Sequence, residues 1–324
     1  MTNIRVVFMG TPDFAVGVLK NLIKNKFTIA GVITAPDKPS GRGRKLNQSA
    51  VKKYAIEQQL TVLQPHNLKS EDFLNELKQL NANLQIVVAF RMLPKVVWQL
   101  PSLGTFNLHA SLLPEYRGAA PINWAIINGE TKTGVTTFFI DEKIDTGEII
   151  LQDEVVINET DTAGDLHDKL METGSQLVVK TVKIIQKGNV KTIMQPGTND
   201  KVDLPADKAG KIAPKIYKET CRIDWNQPID TIYNKIRGLS PYPASWTIID
   251  NINETIEAKI YAVSKEIIKH NHPIRSIITT KKELKIAVHG GIILVHEIQL
   301  PGKRKMKTSD LLNGFEFHED AIAQ

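Results

Sequence analysis

The chain has 324 residues, of which 42% are hydrophobic and 23% are charged, and its formal net charge is +6. The length suits two domains, and the composition is that of an ordinary globular protein and excludes a disordered chain. The single cysteine, Cys221, excludes an internal disulfide and a cysteine-based zinc site. Neither a signal-peptide pattern nor a membrane-length apolar run is visible, so we expect a cytoplasmic protein with no membrane partner.

Apolar runs and helical patterns alternate through the first part of the chain. Predicted strands cover 4–10, 28–34, 60–63, 84–90, 104–109, 134–140 and 148–156. Predicted helices cover 11–23, with Thr11 as the cap, and then 49–59, 71–80, 121–128 and 162–186. The stretch 35–45, rich in Pro, Gly and Arg, is predicted to be a loop. This alternation indicates an α/β fold with a doubly wound, mostly parallel sheet and helices on both faces.

The sequence changes character after a turn-rich segment at 190–207, which we interpret as a linker. A helix is predicted at 228–237, and short β-rich runs follow, among them a hairpin with strands 284–289 and 292–298. Several short antiparallel strands indicate a small barrel or sandwich. The sequence therefore predicts one domain at 1–189 and a second at 208–324.

Nucleotide and metal motifs are missing from the sequence. The first turn carries only Gly10, whereas a dinucleotide site needs three glycines, so we expect no NAD. A Gly-Lys-Ser/Thr phosphate loop does not occur. His289 and His296 lie on the predicted hairpin without a carboxylate cluster, which argues against a metal site.

The strand at 104–109 breaks the rule that strands of a parallel sheet are apolar on both faces. Alternation places Thr105, Asn107 and His109 on one face. The two polar groups at the carboxyl end lie where open α/β sheets bind ligands. Asn107 can donate to a developing oxyanion, and His109 can act as an acid, a base or a donor. The pattern alone leaves open that loop backbone simply satisfies both side chains.

Asp145, followed by Thr146 and Gly147, is a third candidate, since a carboxylate in a turn between strands can orient a histidine. A turn-capping role is the commoner fate of such an aspartate. Together, Asn107, His109 and Asp145 fit the transfer of an acyl-type carbon to an amine. The carboxamide and imidazole would stabilise negative charge on oxygen, and the carboxylate would hold the imidazole and help to remove the amine proton.

These motifs resemble the formyltransferase-hydrolase fold family. The resemblance rests on residues 10–14, 107–109, 111–114, 117–122 and 145–147. It implies that Asn107, His109 and Asp145 are the catalytic residues and that 10-formyltetrahydrofolate is the formyl donor. It also implies a folate site lined by Ser111, Leu112, Leu113 and Pro114.

Two further features, a basic loop and a carboxy-terminal domain, resemble the branch of this family that formylates initiator Met-tRNA. The loop at 36–45 carries four candidate tRNA-binding cations, Lys38, Arg42, Arg44 and Lys45. Segments 222–225 and 236–244 resemble that branch's OB-like carboxy-terminal domain, and basic OB barrels commonly hold nucleic acid. The implied product is N-formylmethionyl-tRNA for translation initiation, made by a monomeric enzyme that uses no metal.

Other acceptors remain open at this point, because relatives formylate glycinamide ribonucleotide or amino sugars, or hydrolyse the formyl donor. A sugar-nucleotide formyltransferase would share the three catalytic residues but would not need the Arg42 loop. A pure RNA-binding module would need the barrel alone. One departure from the family pattern is Arg91, which stands where glycine is expected and either reshapes the folate pocket or points to solvent.

Overall fold

The computed structural model describes residues 2–40, 45–196, 211–252 and 254–324. The chain forms two compact units, each assembled from three segments. The first unit comprises Met1–Gly118, Thr133–Val156 and His167–Ile212, and the second comprises Ala119–Lys132, Ile157–Leu166 and Ala213–Gln324. The domain boundaries at 189 and 208 stay a prediction, and the predicted linker lies partly outside the described residues.

The elements up to residue 213 follow the predicted alternation of strands and helices. The strands are β1 (Arg5–Gly10), β2 (Thr28–Ile33), β3 (Lys38–Ser40), β4 (Lys45–Asn47), β5 (Val62–Leu63), β6 (Leu84–Val88), β7 (Thr105–His109), β8 (Arg117–Gly118), β9 (Lys132–Phe139), β10 (Ile149–Val156) and β11 (Ile212–Ala213). The helices are α1 (Asp13–Lys24), α2 (Ala50–Glu57), α3 (Glu71–Gln79), α4 (Lys95–Trp98), α5 (Pro121–Ile127) and α6 (Ala163–Gln186).

A seven-stranded sheet forms the centre of the first unit, in the order β10-β9-β7-β6-β1-β2-β5. The pairs of β1 with β2 and β6, of β2 with β5, and of β6 with β7 are parallel, whereas β9 runs antiparallel to β7. Strand order reverses at β1, which is the arrangement that opens a crevice at the carboxyl ends of the strands. The predicted mostly parallel sheet is confirmed.

Helices cover both faces of this sheet. On one face, Val7 and Val87 pack in one apolar cluster with Phe73 of α3 and Val97 of α4. On the other face, Gly174 of α6 lies so close to the sheet that an added Cβ would come within 2.9 Å of the Leu108 side chain. The sheet is therefore buried on both sides, and only its edges are open to ligands.

Three local predictions differ from the structure. Helix α1 begins at Asp13, and its N-cap is Pro12 rather than Thr11, because Pro12 keeps an extended backbone with ψ of 176° and is the last residue before the helical ones. The predicted loop at 35–45 contains the antiparallel pair β3–β4. Each strand is only three residues long, which is too short to show the alternation of apolar residues that predicts a hairpin. Ser49, predicted as the first residue of α2, is instead its cap and accepts a hydrogen bond from the Lys52 N–H at 3.0 Å.

The second unit contains the predicted small β-barrel. Its strands are β12 (Ser245–Asp250), β13 (Thr255–Glu266), β14 (Ile277–Thr279), β15 (Leu284–Val288), β16 (Gly291–Gln299), β17 (Met306–Lys307) and β18 (Ile322–Ala323), its later helices are α7 (Ile229–Gly238) and α8 (Thr308–Leu311), and Glu219–Cys221 forms a 3-10 turn. The strand path is β14-β15-β16-β13-β12-β18. Backbone hydrogen bonds from Ile277 to Ala321 and from Ala323 to Arg275 join the two ends, which nearly closes the sheet.

Buried isoleucines from α7 and from the strands fill the barrel, together with Trp225, whose indole N–H donates to the Thr247 hydroxyl at 2.8 Å. The predicted hairpin is confirmed as β15–β16. Among the described residues, the helices are all too short or too polar to cross a membrane.

Candidate active site

Three polar side chains lie on one face of β7 and end at its carboxyl edge, as the alternation predicted. Thr105 is 3% exposed and donates to the carbonyl of Trp98 at 2.7 Å. His109 is 6% exposed, whereas Asn107 between them is half-buried. In contrast to its two neighbours, the Asn107 carboxamide forms no hydrogen bond with any described residue. A half-buried amide with unused donors and acceptors is available to a ligand.

Apolar neighbours frame this amide. Across the parallel pair it lies beside Val87 of β6, and across the antiparallel pair beside Phe138 of β9. Phe138 packs with Leu113 and Ile149 in a small buried cluster. Low-polarity walls strengthen a hydrogen bond made by the carboxamide, because little water competes for it.

The imidazole of His109 lies between a backbone carbonyl and a carboxylate. Its Nε2 is 2.8 Å from the carbonyl oxygen of Tyr116. A carbonyl only accepts, so Nε2 carries a hydrogen and donates it. Nδ1 faces the Asp145 Oδ2 atom at 3.8 Å, which is longer than a hydrogen bond. If Nδ1 also carries a hydrogen, as in the imidazolium, a closer approach would let it donate to the carboxylate, and catalytic hydrogen bonds are often long before a ligand binds.

A turn after β7 brings the Tyr116 carbonyl back to within hydrogen-bond distance of His109. The Ser111 hydroxyl, fully buried, donates to the Glu115 carbonyl at 2.6 Å. The Thr136 hydroxyl donates to the Ser111 carbonyl at 2.7 Å and accepts from the Leu113 N–H at 3.1 Å. The Ser111 side chain therefore closes the turn, and the half-buried Leu112 and Pro114 are the more accessible members of the predicted folate-lining segment.

The loop that carries Asp145 has its own supports. The Thr146 hydroxyl donates to the Asp141 carboxylate at 2.8 Å. At Gly147 an added Cβ would lie 1.6 Å from the Phe139 carbonyl oxygen, so any side chain is excluded. Asp145 itself has a left-handed backbone with φ of 55°. Its Oδ2 accepts from the Gly118 N–H at 3.0 Å, which orients the carboxylate toward His109.

The structure thus brings Asn107, His109 and Asp145 to one edge of the sheet. Sequence reasoning missed the two backbone groups that hold the latter pair, the Tyr116 carbonyl and the Gly118 N–H. Backbone contacts leave no side-chain signature in the sequence, so neither group could be found from the residue types alone.

The basic loop is only partly described. Lys38 is exposed at the start of β3, and Lys45 begins β4. Arg42 and Arg44 lie outside the described residues. At the base of the β3–β4 hairpin, Asp37 accepts from the Lys52 ammonium at 2.6 Å and from the Gln64 amide at 2.8 Å. These two hydrogen bonds lower the pKa of Asp37, and they join the base of the hairpin to Lys52 of α2 and to Gln64 after β5.

Arg91 is exposed, yet its guanidinium is held by neighbouring groups. Its guanidinium donates to the carbonyls of Pro65 and His66 and lies over the Phe90 ring, 5.6 Å from the ring centroid. Partial burial lowers the pKa of Arg91 from its ordinary value. The arginine therefore joins the loop after β5 to the loop after β6.

Comparison with known proteins assigns the class. A model of the formyl transferase family matches residues 3–182, and a model of the formyl transferase C-terminal domain matches residues 215–316. The first match spans more than half of the chain, and the chain belongs to the formyl transferase family. No group of three His, Cys, Asp or Glu side chains that could hold a metal occurs within the described residues.

The chain is similar to particular members of this family. It is 57% identical over 321 residues to the methionyl-tRNA formyltransferase of Flavobacterium johnsoniae, covering 99% of each chain. It is 58% identical over 323 residues to that of Flavobacterium psychrophilum, again covering 99% of each. Among solved structures, WlaRD, a sugar 3N-formyl transferase crystallised with dTDP and 5-N-formyl-THF, matches with a TM-score of 0.65 at 21% identity, covering 94% of this chain and 100% of that one. This last likeness shows the shared fold.

Proposed function

We propose that this protein transfers the formyl group of 10-formyltetrahydrofolate to the amino group of methionine on initiator Met-tRNA. The observation that carries the proposal is the meeting of Asn107, His109 and Asp145 at the end of β7 in a chain 57% identical to a methionyl-tRNA formyltransferase. The proposal includes that the enzyme is monomeric, lies in the cytoplasm and serves translation initiation.

The residues at the site fit a formyl donor. The donor supplies an electrophilic carbon whose oxygen gains negative charge during transfer. The unused Asn107 carboxamide, set between apolar neighbours, is suited to donate to that oxygen. Leu112 and Pro114 are the lining residues we assign to the folate, beside the fully buried Leu113 and Ser111.

We assign to His109 and Asp145 the removal of the proton that the attacking amine must lose. Because Nε2 donates its hydrogen to the Tyr116 carbonyl, Nδ1 is the ring atom that faces the Asp145 carboxylate, 3.8 Å away. A negative carboxylate at this place is suited to orient the ring and to stabilise positive charge on it. In this account the positive charge of the His109 imidazolium stabilises the oxyanion, while Asp145 orients the ring and takes the proton that the attacking amine loses. When the tetrahedral intermediate collapses, the bond between the formyl carbon and N10 breaks, and that proton passes to N10 of the departing tetrahydrofolate.

The basic hairpin and the barrel are the features on which we base the choice of tRNA as the acceptor. We infer that Lys38, Arg42, Arg44 and Lys45 contact the tRNA near its acceptor end, with Arg42 as the principal contact. The Arg42→Ala variant should formylate initiator and elongator Met-tRNA at more nearly equal kcat/KM, because the loop would no longer favour one of them. Unchanged selectivity would remove the loop from the account.

One assay tests the function itself. The protein is incubated with 10-formyltetrahydrofolate, labelled in the formyl carbon, and with either charged initiator tRNA or a dTDP-linked amino sugar. Label in N-formylmethionyl-tRNA alone is the expected result. Label in the sugar alone would identify a sugar formyltransferase, and label in neither, with folate bound or tRNA bound, would leave only a binding protein.

A further inference from the structure

We propose that Gln195 is a positioning residue for Asp145, which makes part of the segment interpreted as a linker a working part of the active site. The inference rests on the proposed function, since it concerns the same carboxylate. Gln195 lies in the predicted linker at 190–207, yet its side chain is only 2% exposed. A glutamine this deeply buried needs partners for both ends of its amide.

The segment before Gln195 is docked onto the first unit. Ile193 and Ile149 exchange a pair of antiparallel backbone hydrogen bonds, each 2.8 Å long, at the start of β10. The Thr192 hydroxyl donates to the Glu148 carboxylate. These contacts bring residues 192–195 alongside the strand that follows Gly147, and so alongside the Asp145 loop.

The amide of Gln195 spans the two sides of that loop. Its Nε2 donates to the carbonyl of Gly147 at 2.7 Å and to the carbonyl of Asp145 at 3.1 Å. Its Oε1 accepts from Arg117 twice, from Nη2 at 2.7 Å and from Nε at 3.2 Å. Both ends of one buried amide are thus used, one on the backbone of Asp145 and one on an arginine.

Asp145 is a residue that needs such a clamp. Its left-handed backbone, with φ of 55°, is unfavourable for a residue with a side chain and persists only where the surroundings over-determine it. The Gly118 N–H fixes the carboxylate and Gln195 fixes the carbonyl of the same residue. Held at both places, the carboxylate stays directed at His109.

Arg117 adds an electrostatic part to the arrangement. Burial lowers the pKa of Arg117 from its ordinary value, and the neighbouring carboxylates of Asp145 and Asp141 oppose that shift. Gln195 orients this guanidinium by two hydrogen bonds. The amide therefore sets both the backbone geometry of Asp145 and the position of the Arg117 guanidinium, whose charge acts on Asp145.

A merely structural role makes a different prediction. If Gln195 only fastened the chain to the first unit, its removal would lower stability and leave the chemical step intact. Its neighbour Thr192 provides the matched control, because Thr192→Val removes a hydrogen bond of the same docked segment without touching Asp145. A positioning role requires a loss of kcat that depends on the presence of the Asp145 carboxylate.

The experiment measures steady-state initial rates of formylation of initiator Met-tRNA, from which kcat and KM follow, for the full chain and its variants Q195M, Q195E, T192V, D145A and D145A/Q195M. We expect Q195M to lower the rate about tenfold to a hundredfold, with KM for 10-formyltetrahydrofolate and for tRNA changed less than about threefold. Q195E keeps the size and the Arg117 contact but sets an oxygen against two carbonyls, so it should be slow as well. T192V should match the wild type.

The double variant decides the matter. If Gln195 acts through Asp145, D145A/Q195M is no slower than D145A, because the group that Q195M misplaces is already gone. Melting curves show which of Q195M and Q195E is folded at the assay temperature, and either one suffices. Wild-type-like turnover by a folded variant, or a further tenfold loss in the double variant, overturns the inference. A wild-type chain that does not formylate tRNA refutes the proposed function instead.

Discussion

Asn107 and Thr105 lie on the same face of one strand, and their substitution should separate catalysis from stability. The Thr105 hydroxyl donates to the Trp98 carbonyl at 2.7 Å and lies 3.0 Å from the Gln85 side-chain oxygen. Thr105→Val leaves the Trp98 carbonyl without its donor, which costs about 1–3 kcal/mol of unfolding free energy. Asn107→Ala removes no hydrogen bond to a described residue and should change that free energy by less than about 0.5 kcal/mol.

The effects on turnover run the other way. Loss of one preorganised donor to a developing oxyanion lowers kcat by about 10²–10³. N107A should show that loss, whereas T105V should keep kcat within about twofold at a temperature where it is folded, since Thr105 faces the core and not the reacting carbon. Urea denaturation and initial rates with initiator Met-tRNA measure the two quantities on the same preparations. An N107A variant that loses stability as much as activity, or that turns over normally, would refute the assignment of Asn107.

Three further substitutions test the supports of the site. Gly147→Ala should cost more than about 3 kcal/mol of unfolding free energy and abolish turnover, because its Cβ would meet the Phe139 carbonyl at 1.6 Å, whereas Gly314→Ala, with open space around it, should be neutral in both assays. Arg91→Ala should lower the unfolding free energy by about 1 kcal/mol, since two loop carbonyls lose their donor. An unchanged urea midpoint would contradict the stabilising role of the contacts between Arg91 and these two carbonyls. Asp37→Asn should lower the melting temperature at neutral pH. Since the folded-state pKa of Asp37 is lowered, the ionised carboxylate stabilises the fold above its ordinary pKa, and this stabilisation is lost in acid. The difference in melting temperature between the variant and the wild type should therefore shrink as pH falls below about 4. A difference that grows in that range would contradict the prediction.

The sequence predicted the sheet and its chemical edge because both follow from local patterns. Period-two alternation put Asn107 and His109 on one face, and the Asp145 turn was recognisable by its glycine. The pattern also left open that loop backbone satisfies the polar pair, and for His109 the structure shows such a contact, from the Tyr116 carbonyl. For Asn107 no such contact exists among the described residues, which is the distinction that alternation alone cannot make.

Other features could not be read from the sequence because they depend on contacts distant along the chain. Gln195 lies in a segment whose turn-rich composition indicates a linker. Its hydrogen bonds to Arg117, Asp145 and Gly147, which the sequence does not predict, show that the side chain packs against the Asp145 loop. The β3–β4 pair is too short for a periodic signal. Segments 119–132 and 157–166 belong to the second unit although they lie between segments of the first, which no local composition shift announces.

The central claim is that Asn107, His109 and Asp145 act as one unit on a single carbon. Single-turnover formylation of initiator Met-tRNA by the three alanine variants and by the triple variant tests it most directly. Residues that act together are strongly non-additive, so the triple variant should be about as slow as the slowest single variant. Rate losses that multiply across the three positions would mean that the side chains work independently, and the shared site would be contradicted.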